Sequence, residues 1–406
     1  MSLRDYQIQF HLQSNGSGGD IHALGAIDSF ISYDTEGAWN KAKHFLDKHS
    51  GKFVFTTLSY ELKDDIESLS SKNPGFIDFP VISLIVPKVV FIWELGELEV
   101  LELNDHSLDV QGLKKELLDL HKTHRKAKSK GDFESISKSE YLVELELIKN
   151  HIQRGDVYEI NFCQQFKASK VQLDPWTCFQ ELNNKTKAPY SCHVRIGEHH
   201  LLCASPELFL EKQGNKITSK PIKGTRKRSQ DLEEDKRLVE ELQNDLKERS
   251  ENIMITDLVR NDLSKTSLQG TVEVKELCEI YSFDTVHQMI STVCSEVGKA
   301  THAIDIIKSC FPMGSMTGAP KIRAMELIEH HEDFKRGIYS GSVGVFTPQR
   351  NFTLNVVIRS ILYDEALHKA SVAAGGAITD LSRPEEEYDE CLLKARAMMD
   401  VLGFQI

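Results

Sequence analysis

Apolar and polar positions alternate in short bursts through the first hundred residues. β-like runs cover 53–60, 81–86, 89–93 and 98–103, the last after a turn at Gly96, and their close spacing predicts antiparallel pairing. A polar, basic stretch from His121 to Gly131 interrupts this rhythm and predicts a mobile linker or exposed loop. Beyond it Ser137 and Glu140 form a capping box, and Tyr141, Leu145, Ile148 and Ile152 mark one helical face that stops at Gly155. The next run sets Tyr158, Ile160 and Phe162 against Glu159, Asn161 and Cys163, which predicts a strand with one core face and one polar face.

Further strand-like runs lie at 190–196, 201–204 and 208–211. A long helix follows, roughly 231–260, with Leu238, Leu242 and Ile253 on its apolar side. A shorter helix begins at Pro320, where Ile322, Met325 and Ile328 recur at helical spacing. Three late strands are expected at 339–346, 352–363 and 366–374, and a closing helix from about Pro384. Strands joined by short turns, with helices inserted between strand sets, predict an α+β chain with extended antiparallel sheet and no internal repeat. Residues 1–130 then supply strands to a sheet shared with residues 131–406, in one integrated domain.

Charge and cysteine usage narrow the function classes. The 406 residues carry 61 acidic against 49 basic side chains, a net −12, which argues against nucleic acid or an anionic membrane as partner. No apolar run reaches the roughly 18 residues that span a bilayer. The eight cysteines form no CxxC pair and no secretory leader is recognisable, so free thiols in a reducing, cytoplasmic compartment are expected.

Two i, i+3 glutamate pairs, Glu248 with Glu251 and Glu387 with Glu390, stand in helical stretches, so each pair presents two carboxylates on one face. An isolated pair of this kind is most often a solvated helix face. Two such faces brought together need a hard, oxygen-seeking cation between them, most simply Mg2+. A second candidate lies in SKPIKGTRKR, where Lys223 precedes Gly224 and Thr225: a glycine admits close backbone approach and a hydroxyl binds oxygen. Crowding by Lys220, Arg226, Lys227 and Arg228 predicts a lowered Lys223 pKa and a neutral, nucleophilic amine, against the alternative of an ordinary solvated basic loop.

Several stretches together resemble the chorismate-utilising enzymes: ASPELF, PIKGT, ERSENIMITDLVRNDLS, VHQMIS, FPMGSMTGAPKIRAM, GIYSGSVG, VVIRS, AGGAIT and EEEYDECLLKARAM. Their order and spacing agree over about residues 137–403. The resemblance implies two large antiparallel sheets packed as a sandwich with helices outside, and a Mg2+ site for the ring carboxylate of chorismate. It implies Glu251 and Glu390 as the nearest metal ligands, supported by Glu248 and Glu387. Tyr339, Arg359 and the backbone of Gly375, Gly376 and Ala377 correspond to the grip on the enolpyruvyl carboxylate, and Gly224, Thr225, His287 and Lys394 to residues lining the same pocket. Ala377 departs from a more usual second glycine.

Within the family, Lys223 stands where anthranilate synthases usually carry alanine, and the serine of GSMTGAPK also resembles the aminodeoxychorismate branch. Glu159 occupies the position where isochorismate and salicylate synthases place a general-base lysine. The resemblance therefore implies amination of chorismate through a covalent Lys223 intermediate, with Glu207 protonating the leaving hydroxyl, for 4-aminobenzoate and folate synthesis, without a lyase step. No glutaminase nucleophile motif is recognisable, so ammonia is expected from a separate glutamine amidotransferase subunit. The absence of an LLES-type motif leads us to expect no tryptophan-like feedback site. The alternatives are anthranilate synthase component I chemistry and a catalytically silent chorismate-binding subunit.

Overall fold

The computed structural model describes residues 2–16, 18–122 and 131–406. Among them, two antiparallel sheets of 11 and 10 strands carry the fold. In the first, Glu159–Ser169, Lys369–Ile378, Ser360–Asp364, His199–Ser205, Tyr190–Ile196 and Ile8–Gln13 follow one another; in the second, Ile222–Lys227, Val286–Glu296, Lys216–Lys220, Leu208–Gln213 and Phe352–Asn355 do. The sheets meet face to face. Phe10, Val194 and Leu201 of the first interlock with Phe55, Ile85 and Val345 of the second, and the Phe10 and Phe55 rings lie 5.4 Å apart. Each such buried side chain contributes roughly 1.5–3 kcal/mol of transfer free energy.

Helices cover the outer faces. Lys138–Gln153, Pro175–Thr186, Lys321–His331 and Pro384–Val401 bury Tyr141, Leu182, Leu327 and Met398 against the first sheet. Ala38–Lys48 and Ala303–Cys310 cover the second through Trp39 and Ile307. The predicted capping box is formed: the Ser137 hydroxyl accepts the Glu140 N–H. The α+β sandwich is therefore the observed fold class.

Several boundaries differ from expectation, each for a physical reason. The run 352–363 is two strands in different sheets, Phe352–Asn355 and Ser360–Asp364, with Arg359 at φ 51 turning the chain between them. The expected single helix over 231–260 is two, Leu232–Asn244 and Leu246–Ser264. Asp245 leaves helical geometry at ψ 113 and its carboxylate accepts the N–H groups of Lys247 and Glu248, capping the second helix. That break turns Ile253 outward, 44% exposed, while Glu251, Asn252, Ile255 and Thr256 face inward. Ile322 is likewise 47% exposed, although Met325 and Ile328 are buried. The basic linker expected at His121 to Gly131 falls largely outside the described residues. Ile8–Gln13 and Asp20–Leu24 gave no apolar signal because they bury Gln9, His11, Gln13 and His22. These polar groups pair across strands, with His11 and His22 Nδ1 atoms 2.8 Å apart and His11 stacked on His193. None of the described helices is long and apolar enough to cross a membrane.

Candidate active site

Strand Glu159–Ser169 belongs to the first sheet and strand Ile222–Lys227 ends the second, and they bring two buried, opposite charges together. The Lys223 ammonium donates to Glu159 Oε1 at 2.8 Å, with exposures of 9% and 1%. Both strands are shaped by glycine. Gly318, in the short strand beside Glu159, has no room for a side chain, since a Cβ there would lie 2.1 Å from the Glu159 carbonyl oxygen. Gly224, at φ +85, forms the bulge between Ile222 and Thr225, and a Cβ on it would meet Leu242 and Glu248 at 3.0–3.1 Å. The helix bearing Glu248 thereby comes close to the lysine strand.

The basic crowd does not act on Lys223 as its sequence suggests. Arg226 turns to Asp245 at 2.8 Å and Glu248 at 3.2 Å, Arg228 to Asp235 at 2.7 Å, and Lys220 to the ring of Tyr281. Lys223 instead has carboxylates as company. Burial pulls its pKa down, but Glu159, Glu251 and Glu207 outweigh that, and the net displacement is upward, toward the ammonium. The expected neutral amine is thus corrected to a charged one at rest.

Glu207 is buried at the start of strand Leu208–Gln213. Burial pushes its carboxyl up to about 7 against the pull of Lys223 and Arg359, which brings its titration from the ordinary carboxyl range toward neutral pH. Ser315, of the GSMTGAPK stretch, lines the same small cleft as Glu207. Arg359 is a cation without a carboxylate partner: among the described residues its guanidinium has no side-chain hydrogen bond or ion pair, and burial lowers its pKa. Tyr339 is buried with its hydroxyl 3.5 Å from Cys163 Sγ.

The two glutamate pairs do face each other, and the gap between their helices is bridged by a side chain. Lys247 Nζ lies 2.6 Å from Glu387 Oε1 and 3.7 Å from Glu251 Oε1. Glu390 pairs with Lys394 at 2.7 Å, and that lysine pulls its carboxyl down to about 2; the same ammonium donates to the Gly375 carbonyl at 3.0 Å. Burial raises the pKa of Glu248, and carries that of Glu251 to about 8. Gly375 packs against its neighbouring strand so closely that a Cβ would be 2.0 Å from the Phe162 oxygen, whereas a Cβ on Gly376 would project toward Glu387, 3.4 Å away. Ala377, buried, continues that strand opposite Asn161.

Residues 8–400 match the sequence profile of chorismate binding enzymes. The chain belongs to that family. "Probable aminodeoxychorismate synthase, chloroplastic" of Oryza sativa subsp. japonica is 41% identical over 269 residues, which are 66% of this chain but 30% of that protein. "Anthranilate synthase component 1" of Aquifex aeolicus is 30% identical over 97% of this chain and 84% of its own length. The solved anthranilate synthase component I from Streptococcus pneumoniae superposes with a TM-score of 0.79 at 23% identity, covering 94% of this chain and 92% of its own, a likeness of fold.

Placed in this chorismate binding fold, the other expected pocket residues divide. Thr225 continues the bulged lysine strand, paired with Gln288. His287 is fully engaged elsewhere: its Nε2 meets Asp235 at 2.9 Å and its Nδ1 meets Ser282 at 2.8 Å, which fixes the helix Leu232–Asn244 against the second sheet. Sequence reasoning gave no role to Lys247, which reads as one charge on a polar helix, nor to Glu159 as a partner of Lys223. The polar face predicted for Glu159 and Asn161 was the available signal, and it is buried in the site rather than solvated. Lys321 of the GAPK stretch is structural, tied to Asp262, Cys310 O and Pro312 O.

The donors suit a hard divalent cation in kind: all are carboxylates, and Glu251 Oε1 and Glu387 Oε2 are buried without a hydrogen-bond partner. Among the described residues, however, no three such groups converge as a ready metal shell.

Proposed function

We propose that this protein aminates chorismate to 4-amino-4-deoxychorismate through a covalent bond to Lys223, in 4-aminobenzoate and folate synthesis in the cytoplasm. The observation that carries the reading is Lys223 itself, a buried lysine whose charge reaches Glu207, a buried carboxyl, with Arg359 buried and free of any side-chain hydrogen bond or ion pair among the described residues. Arg359, with Tyr339 and the backbone of Gly375 to Ala377, suits a carboxylate of a dianionic substrate. Lys223 adds to ring carbon 2 as the 4-hydroxyl leaves with the proton of Glu207, and ammonia then displaces the lysine by adding at carbon 4. Glu248, Glu251, Glu387 and Glu390 would hold Mg2+, Glu251 and Glu390 most directly; when bound, the ion neutralises the substrate's ring carboxylate. Ammonia comes from a separate glutamine amidotransferase subunit, in keeping with the "component 1" in the Aquifex relative's name.

The test is intact-mass analysis with peptide mapping after incubation with chorismate and Mg2+ but no ammonia. An adduct on Lys223, absent in Lys223→Ala, is expected. The second reading, anthranilate formation, draws on the Aquifex relative, which matches 97% of this chain. Under it no adduct forms, and ammonium salt gives a strongly fluorescent product.

A further inference from the structure

The buried pair of Lys223 and Glu159 poses a chemical problem that its geometry also answers. A nucleophilic lysine has to shed a proton, yet the surrounding carboxylates hold this one as an ammonium, and burial leaves solvent little access to it. Glu159 Oε1 is 2.8 Å from Nζ, and among the described residues no other carboxylate lies within 4.0 Å of it. Glu159 Oε2 is buried with no hydrogen-bond partner, so the carboxyl has an open oxygen. The strand that presents it is fixed from the other side: Asn161 N–H donates to Thr317 O at 2.8 Å, Tyr158 N–H to Ala319 O at 2.7 Å, and Gly318 permits the close approach. The acceptor is thus held in place before substrate arrives.

We infer that Glu159 is the base that takes a proton from the Lys223 ammonium when the amine attacks, and returns it when the amine is expelled. The inference rests on the proposed covalent role of Lys223. In the first half-reaction the proton passes from Nζ to Glu159 and the freed lone pair forms the bond to ring carbon 2. The ring double bonds shift, and the carbon 4–oxygen bond breaks as Glu207 gives its proton to the departing water. In the second half, ammonia bonds to carbon 4, the double bonds shift back and the carbon 2–nitrogen bond breaks. Lys223 recovers its proton from Glu159, and the new ammonium at carbon 4 returns one to Glu207. Both carboxyls end as they began.

Two outcomes separate a base from a mere counter-ion, because they have opposite signs. Removing a counter-ion carboxylate releases the amine and speeds its attack at neutral pH; removing the base slows it. With chorismate and Mg2+ but no ammonia, Glu159→Gln should form the Lys223 adduct about a hundredfold or more slowly at pH 7. Its rate relative to wild type should then climb about tenfold per pH unit as bulk solvent takes over deprotonation. Glu159→Asp, which keeps the charge, should lie between the two and guards against a folding defect in the glutamine variant. Adduct formation in Glu159→Gln as fast as wild type or faster overturns the inference alone. No adduct in wild type overturns the covalent reading beneath it.

Discussion

Lys247 places its ammonium 2.6 Å from Glu387 Oε1, so the two glutamate-bearing helices are joined by one side chain that also approaches Glu251 at 3.7 Å. Lys247 supplies positive charge to Glu387 and Glu251, while Lys394 and Arg226 supply it to Glu390 and Glu248. Lys247 is itself only partly buried, with 29% side-chain exposure, while Glu387 is at 2%. Losing the lysine therefore leaves a buried carboxylate without its charge partner.

Lys247→Met should accordingly lower stability in metal-free buffer by on the order of 1–3 kcal/mol. Added Mg2+ should recover more stability in the variant than in wild type, because the ion no longer competes with an ammonium for the same oxygens. Thermal unfolding with EDTA and with excess Mg2+ reads both effects. Equal Mg2+ shifts in the two proteins would separate Lys247 from the proposed Mg2+ site.

Glu207 gives a pH prediction of fixed sign. Its folded pKa of about 7 lies above the ordinary carboxyl value of 4.5, so between those values the folded state binds more protons than the unfolded one. Stability from this group is therefore full below about pH 4.5 and falls as pH rises through 7. Glu207→Gln removes the penalty and should be more stable than wild type at pH 8 by on the order of 3 kcal/mol, with no such gain near pH 4. The same variant should lose activity by about 10²- to 10⁴-fold. Wild-type kcat/KM should decline above about pH 7, the value to which burial lifts this carboxyl. Urea unfolding at the two pH values and a pH–rate profile check the argument.

The glutamate pairs and the faces they share were legible in the sequence because i, i+3 spacing fixes a helical face whatever the surroundings. It misled where one residue's backbone overrides a pattern. Nothing in the apolar run 352–363 announces that Arg359 takes φ 51 and carries the chain to the opposite sheet, or that Asp245 caps a new helix inside a continuous helical periodicity. The direction of the Lys223 shift was unreadable for a related reason. Sequence neighbours such as Arg226 and Arg228 turn away to their own acids, while the carboxylates that decide it, Glu159 and Glu251, come from distant strands and helices. Likewise the strand Ile8–Gln13 was hidden by His11 and Gln9, whose burial depends on partners across the sheet.

Arg359 is the cation proposed to meet the substrate's enolpyruvyl carboxylate. Arg359→Ala should cost on the order of 2–5 kcal/mol in transition-state stabilisation, seen mainly in kcat/KM, since a charge-assisted pair in a closed site is lost. Folded stability should not fall correspondingly, because the guanidinium has no side-chain partner among the described residues to abandon. A variant that used chorismate as well as wild type would remove Arg359 from the carboxylate grip.

Adjacent glycines in the strand Lys369–Ile378 should respond differently to the same added methyl. At Gly375 the methyl would sit 2.0 Å from the Phe162 carbonyl oxygen and 2.6 Å from Cys163 Cα, both backbone atoms that move only if the strand pairing opens. Gly375→Ala should lose about 3 kcal/mol or more. At Gly376 the nearest atom is Glu387 Oε2 at 3.4 Å, an ordinary contact, so Gly376→Ala should fold with a cost under about 1 kcal/mol. Its methyl, however, covers a carboxylate oxygen that has no hydrogen-bond partner, on a residue proposed to hold Mg2+. The rise in melting temperature on adding Mg2+ should shrink in Gly376→Ala while the metal-free melting temperature stays near that of wild type. Two equally destabilised variants would mean that the space around Gly376 serves packing alone; an undiminished Mg2+ response in a well-folded Gly376→Ala would move the cation away from Glu387.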